Sequence, residues 1–297
     1  GSLGEANQLV GLFIETGATV QIRYSGIRNG FTRPFGDNDP EVAYTGPLAV
    51  LVNRTSASAS EIFAGAIQDY QRGIVVGGQT FGKGTVQEII PMDYGQVKLT
   101  RSKFYRISGE STQHRGVIPD ITFPDFYDAY DDIGESSLDG ALPWDTVRPV
   151  EYRAYHPIQA AIPELRSLHE ERAKTSPDFN YLLGQIERTR ELREREEISL
   201  NEEVVKRERE DARKEEFEAE NMRRALKGLP LEEWVEDENI DDESSEALAS
   251  SDSEVIEPEE NEEETELDED DPLILESGRI LADYIDLNGR RVSSVNN

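Results

Sequence analysis

Cysteine is missing from all 297 residues, which rules out disulfides, zinc–thiolate centres and a cysteine nucleophile. Histidine is scarce as well. His114, His156 and His169 are the only imidazoles, and none sits in a pattern that marks a general base. Cationic side chains are outnumbered, 31 Lys and Arg against 62 Asp and Glu, for a formal net charge of −31. That balance argues against nucleic acid as a partner, because phosphate backbones select clustered Lys and Arg. No apolar run is long enough to span a membrane, and no basic segment followed by an apolar one marks a secretion signal. "DNDP", residues 37–40, and the acidic stretches lack the spacing and central glycine of a calcium loop, so no specific metal is expected. The chain opens on Gly1, and "GSLGEANQLVGLFI" runs from a glycine turn straight into an amphipathic helix; a fragment without its N-terminal part is therefore expected.

What is present changes character along the chain. Residues 1–124 are mixed in charge, moderately apolar, and read as α/β. A helix is expected near 3–14, and strands at 19–25, 47–52, 73–77, 85–90 and 96–107. Residues 29–40, punctuated by Gly and Pro, read as a loop, and Ile62, Phe63, Ala66, Ile67 and Tyr70 recur at helical spacing over 58–71. Residues 125–160 read as an acidic linker, and 161–236 as a charged helical domain in which "SLNE", residues 199–202, forms a capping box. Gly228 followed by Pro230 is expected to stop that helical run. Residues 237–271 are acidic, poor in aromatics and expected to be disordered. A terminal amphipathic helix is expected over 272–288, with Asp271 as its cap.

The stretch "SASASEIFAGAIQDYQRGIVVGGQTFGKG", residues 56–84, carries the candidate chemistry. Ser58 followed by Glu61 is a capping box, so Ser58 reads first as a helix cap. A helix N-terminus also suits a nucleophilic serine, because free N–H groups and the dipole stabilise an oxyanion. The two readings are compatible. "GGQTFGK", residues 77–83, matches the phosphate-cradling G-x-x-x-x-G-K loop. Against that, Gly84 stands where the magnesium-holding hydroxyl belongs, Thr85 comes one place late, and "TVQEII" alternates like a strand where such a loop must open a helix. A plain glycine turn with a surface lysine is the simpler alternative. A third reading joins the two halves. A serine hydroxyl needs a base to take its proton, and Lys83 lies between Gly82 and Gly84, with no acidic residue in sequence from Ile74 to Gln87. Such surroundings favour a desolvated free amine. Ser58 and Lys83 would then carry out acyl transfer as a variant of triad logic.

These motifs together resemble a known family. "SASASEIFAGAIQDY", with 25 positions from Ser58 to the lysine of "TFGKGTVQ", is similar to the carboxy-terminal processing peptidases, and within them to the tail-specific branch of Gram-negative bacteria. The likeness runs on through "KFYRISGESTQHRGVIPDI", "LPWD" and the helical tail with its late "DP" helix. It implies a mixed α/β, ClpP/crotonase-like serine peptidase core followed by a mainly α-helical C-terminal domain. It also implies Ser58 as nucleophile, Lys83 as base, and Gln87 as a supporting glutamine. The N–H groups of Ala59 and Gly1 would form the oxyanion hole. Asp69 matches an aspartate tied to activity in the tail-specific branch, and Glu61 matches a motif glutamate that braces the helix start. No cofactor is implied. The implied substrates are proteins with unstructured apolar C-termini, the implied partner is a helical-repeat lipoprotein adaptor, and the implied location is the periplasm. The acidic stretch 237–271 has no counterpart in this resemblance. A non-catalytic scaffold or docking fragment of the same fold is the alternative.

Overall fold

A computed structural model describes residues 1–24, 30–130, 132–235 and 270–295. The N-terminal part builds two sheets with a helix between them. Strands β1 (Gly17–Tyr24), β2 (Thr32–Asp37), β5 (Thr85–Pro91) and β6 (Gln96–Tyr105) form an antiparallel sheet in the order β2-β1-β6-β5. Strands β3 (Ala49–Val52), β4 (Ile74–Gly77) and β7 (Ile121–Thr122) form a parallel sheet in the order β3-β4-β7. Helix α1 (Leu3–Gly11) lies against α2 (Ala59–Asp69).

Helix α2 is buried on more than one side. Ile62 packs with Val20, Ile22 and Phe104 of the antiparallel sheet, while Ala64 packs with Val52 and Val75 of the parallel one. A helix apolar most of the way round belongs in such a position, and the small residues Ala64, Gly65 and Ala66 let its neighbours approach closely. The strands expected at 19–25, 47–52, 73–77, 85–90 and 96–107 are present as β1, β3, β4, β5 and β6.

Strand β2 corrects the loop expected at 29–40. "TRPFGD" has no alternation and contains Pro34, yet it pairs with β1 along one edge only, where a missing N–H is tolerated. Gly36 sits against the Gly17 carbonyl at a bulge in this pairing, where any Cβ would overlap backbone.

Among the described residues four α-helices follow: α3 (Ile162–Thr175), α4 (Pro177–Arg193), α5 (Glu202–Lys227) and α6 (Pro272–Val295). Helices α3, α4 and α6 share a core with the parallel sheet, while α5 buries no residue and rests on α4. Ile74, Val76, Ile121 and Phe123 pack with Ile158, Leu165, Phe179, Ile280 and Tyr284. Buried Glu276 of α6 accepts hydrogen bonds from Arg172 and meets His169, both of α3, at 2.9 Å each, which fixes how α6 lies on α3. Helix α6 extends past the expected 288, and Asp271 caps it through hydrogen bonds from Leu273 N–H (2.7 Å) and Ile274 N–H (3.2 Å).

At α5 the expected Ser199–Glu202 box does not form. Asn201 is the cap, accepting from Glu203 N–H at 3.0 Å, while Ser199 Oγ accepts from Asn201 N–H at 3.2 Å. The short asparagine side chain reaches the second helical amide directly and displaces the serine. Gly228 ends α5 in the left-handed region at φ 69°.

Residues 125–160, expected as a linker, carry short 3-10 turns and are strapped to the core. Trp144 Nε1 donates to Ser111 O (2.9 Å), Val150 N to Ile107 O (3.0 Å) and Tyr155 N to Tyr70 O (2.8 Å). Of the acidic stretch expected to be disordered, residues 237–269 lie outside the described residues.

Candidate functional site

The chain leaves β3 at Val52, turns through residues 53–57, and enters α2 at Ala59. The Asn53 side chain organises this turn, accepting from Thr55 N–H (3.1 Å) and Thr55 Oγ1 (2.7 Å). Ser58 stands at the helix mouth with φ 56° and ψ −108°, a conformation that L-residues avoid and that costs on the order of 1–3 kcal/mol. Its hydroxyl faces the Glu61 amide in capping-box fashion but makes no cap hydrogen bond to the helix. The other half of the box is formed, with Ser58 N–H donating to Glu61 Oε2 at 2.8 Å.

Glu61 is the centre of the arrangement. It is wholly shielded from solvent, and both its oxygens accept twice. Oε1 takes the Thr80 hydroxyl (2.6 Å) and Gly82 N–H (2.7 Å). Oε2 takes Ser58 N–H (2.8 Å) and Lys83 N–H (2.9 Å). One oxygen therefore holds the amides of both candidate catalytic residues, and those two nitrogens are no further apart than the sum of the two bonds. Sequence reasoning gave Glu61 only the helix start and did not single out Thr80. It also read the neighbourhood of Lys83 as free of carboxylates, whereas the fold brings one to its backbone.

Burial pushes the Glu61 carboxyl up from 4.5 to about 7, against the opposing pull of hydrogen bonds from Thr80, Gly82, Ser58 and Lys83. For an acid raised in the folded state, the stabilising contribution is full below the unfolded value and is lost as pH rises through the folded one. The urea midpoint of the wild type minus that of Glu61→Gln is thus expected to fall between pH 4.5 and 7 and to flatten outside that window. A difference independent of pH would refute it.

The lysine turn depends on its glycines for backbone access. A Cβ on Gly82 (φ +94°) would lie 2.9 Å from the His114 carbonyl carbon, and one on Gly84 would lie 2.7 Å from Gln113 N. His114 N–H donates to Gly82 O at 2.9 Å across this contact. Gly82→Ala is expected to cost about 3 kcal/mol, combining left-handed strain with a backbone clash. Gly95→Ala, at φ +79° with nothing within 4 Å, is expected to cost about 1 kcal/mol. Urea denaturation of the two variants checks the contrast. Lys83 itself is half-buried, less enclosed than the dry niche expected for it.

The turn lacks what a phosphate loop requires, in line with the sequence argument against one. Strand β5, not a helix, follows the turn. Its amides are already committed, Gly82 and Lys83 to Glu61 and Gly84 to Gln113 Oε1 at 2.8 Å, so none points at an open cradle.

The other named residues fall as follows. Ala59 is the first residue of α2, and among the described residues its N–H has no protein acceptor. Gly1 lies against it, where a Cβ would come within 2.6 Å of Ala59 Cβ. A cleft of about 680 Å³ opens beside them, lined by Gly1, Ala59, Leu9, Leu51, Val52 and Phe63 among others. Gln87 is exposed on β5, its Nε2 donating to Thr100 Oγ1 at 3.4 Å. Asp69, at the far end of α2, pairs with Arg106 (Nε–Oδ2 3.2 Å) and accepts from Ser108 Oγ (3.1 Å) and N–H (3.3 Å). It ties the helix to the end of β6. Gln113 and Glu135 complete the surroundings of the lysine turn and were not singled out from sequence; "STQ" stood inside a quoted motif, and Glu135 inside the supposed linker.

Comparison with known proteins identifies the class. Residues 1–123 match Peptidase family S41, and residues 129–286 match the C-terminal domain of tail specific protease. Among curated proteins, the tail-specific protease of Haemophilus influenzae is 41% identical over 228 residues, 72% of this chain and 32% of that protein. The carboxy-terminal-processing protease of Bartonella bacilliformis is 40% identical over 148 residues, 48% of this chain and 34% of that protein. Among solved structures, the photosystem II D1 C-terminal processing protease is 34% identical, covering 41% of this chain and 31% of that one with a TM-score of 0.35. The chain belongs to the family defined by the C-terminal domain of tail specific protease, which matches more than half of it, and its residues 1–123 match Peptidase family S41. It spans about a third of the length of the curated relatives it matches.

Proposed function

We propose that this chain carries the catalytic centre of a serine endopeptidase that acts on proteins from their apolar, unstructured C-terminal tails. The observation that carries the reading is the shared Glu61 oxygen, which ties the Ser58 and Lys83 backbones together at the mouth of α2. In the proposed reaction the Lys83 amine takes the Ser58 proton as Oγ attacks the scissile carbonyl. The N–H of Ala59, and that of Gly1 beside it, receive the tetrahedral oxyanion at the positive end of the helix. Collapse passes the proton from Lys83 to the leaving amine and leaves an acyl-serine. Lys83 then deprotonates a water that attacks the acyl carbon, and the proton returns to Ser58 as its C–O bond breaks. In the proposed reaction Gln87 leaves Thr100 to steady the lysine from β5, and Asp69 holds the frame through Arg106.

The apolar cleft at Gly1 and Ala59 supports an apolar side chain at the scissile residue. A helical-repeat lipoprotein adaptor and a periplasmic location go with this reading through family likeness. Its test is cleavage, by the full-length protein, of an unfolded substrate ending in small apolar residues against the same substrate ending in aspartates, with Ser58→Ala as blank. The apolar tail is expected to be cleaved at least about tenfold faster, because a charged group forced into an apolar site costs more than the matched one gains. Equal rates, or cleavage undiminished in the blank, would refute the reading.

A further inference from the structure

We propose that Glu135, supplied by the segment that joins the C-terminal helices to the core, is a positioning residue for the Lys83 turn. The inference rests on Lys83 acting with Ser58. Glu61 grips this turn from the α2 side, through Gly82 N–H and Lys83 N–H. On the other side Gly84 N–H donates to Gln113 Oε1 at 2.8 Å, and Gln113 is wholly buried.

A glutamine amide can present either its oxygen or its nitrogen, and only the oxygen serves Gly84. Glu135 settles the choice. Its Oε1 accepts Gln113 Nε2 at 2.8 Å, and an ionised carboxylate can only accept, so it draws the NH2 end and leaves the oxygen facing Gly84. Glu135 N–H also donates to Phe81 O at 2.9 Å, so the same residue holds the turn at two points, before and after Lys83. Gly134, at φ +132° and with its ideal Cβ 3.3 Å from Phe81 O, lets the segment come this close.

The helices anchor this segment in turn. Arg193 of α4 donates to Asp132 Oδ1 at 2.8 Å and lies 4.4 Å from the Tyr130 ring centroid, and Arg190 donates to Asp128 O at 3.3 Å. The exposed ion pair among these contributes little alone. The packing of α4 on residues 126–129 does more to hold the strap. A residue in the stretch that matches the C-terminal domain thereby sets the geometry of a turn in the stretch that matches the peptidase domain.

The experiment compares Glu135→Leu and Glu135→Gln with wild type in the full-length protein. Ser58→Ala runs in parallel, and assays are made well below the thermal midpoint of each variant. Glu135→Leu leaves the Gln113 amide unanchored and is expected to lower kcat by about tenfold to a hundredfold with KM changed less than about twofold, as for a misplaced catalytic group. Glu135→Gln still offers an oxygen to Gln113 and is expected to restore kcat to within about threefold of wild type. Wild-type kcat in Glu135→Leu beside an inactive Ser58→Ala would overturn the positioning role alone. So would a loss that appears in KM, or equal impairment of both Glu135 variants. Full activity in Ser58→Ala would instead overturn the Ser–Lys reading on which the inference rests.

Discussion

Ser58→Ala and Lys83→Ala are each expected to lower peptide cleavage by at least about 10⁴-fold, and the double variant to fall no further, because nucleophile and base act as one unit. The size follows from what each removal leaves. Without Oγ there is no acyl-enzyme, and only the α2 amides and the cleft remain to stabilise a direct attack by water. Without the amine the hydroxyl keeps its proton and stays a weak nucleophile. Lys83→Arg is expected to be as inactive as Lys83→Ala, since a guanidinium keeps its charge and cannot accept a proton. Steady-state cleavage by the four variants in the full-length protein checks this. Activity retained by Lys83→Arg would mean that the cation, not a base, is what the site needs. None of the substitutions touches the Glu61 cluster except through a side chain outside it, so all four proteins are expected to unfold close to wild type.

Glu61→Leu is expected to have the largest effect on stability, on the order of 5 kcal/mol, enough to bring a typical domain near its unfolding threshold. The loss follows from four donors that lose their acceptor together, the buried Thr80 hydroxyl and Gly82 amide and the part-buried amides of Ser58 and Lys83. Glu61→Gln keeps one accepting oxygen and sets an NH2 against two N–H donors, so about half that cost is expected. Activity is expected to fall with both, and further than stability explains, because the shared oxygen that holds Ser58 near Lys83 is gone. Urea denaturation together with kcat on the folded fraction checks the prediction. A Glu61→Leu protein of wild-type stability would show that the cluster holds nothing together. Activity rising through about pH 7 as Glu61 ionises is a further expectation, since only the carboxylate accepts all four donors.

Much of the frame was legible because its signals are local. Apolar runs such as 47–52 and 73–77, bounded by Gly and Pro, announced β3 and β4, and the S-x-x-E step announced the start of α2. Strand β2 escaped because an edge strand borrows its register from β1 and needs no pattern of its own. The cap of α5 was placed two residues early because Ser199 and Asn201 both fit the rule, and only the backbone path chooses between them. Residues 125–160 looked like a linker because their attachments, Trp144 to Ser111 and Glu135 to Gln113, are made to partners distant in sequence.

By itself the sequence determined which groups are available. It set the absence of thiols, a serine at a helix start, a lysine between two glycines, and the alternation that makes β5 a strand and leaves no helix for a phosphate to bind. Only the tertiary structure decided which of those groups meet. A carboxylate shut away from water must collect every donor within reach, and in closing on Glu61 the fold draws the amides of Ser58 and Lys83 onto one oxygen.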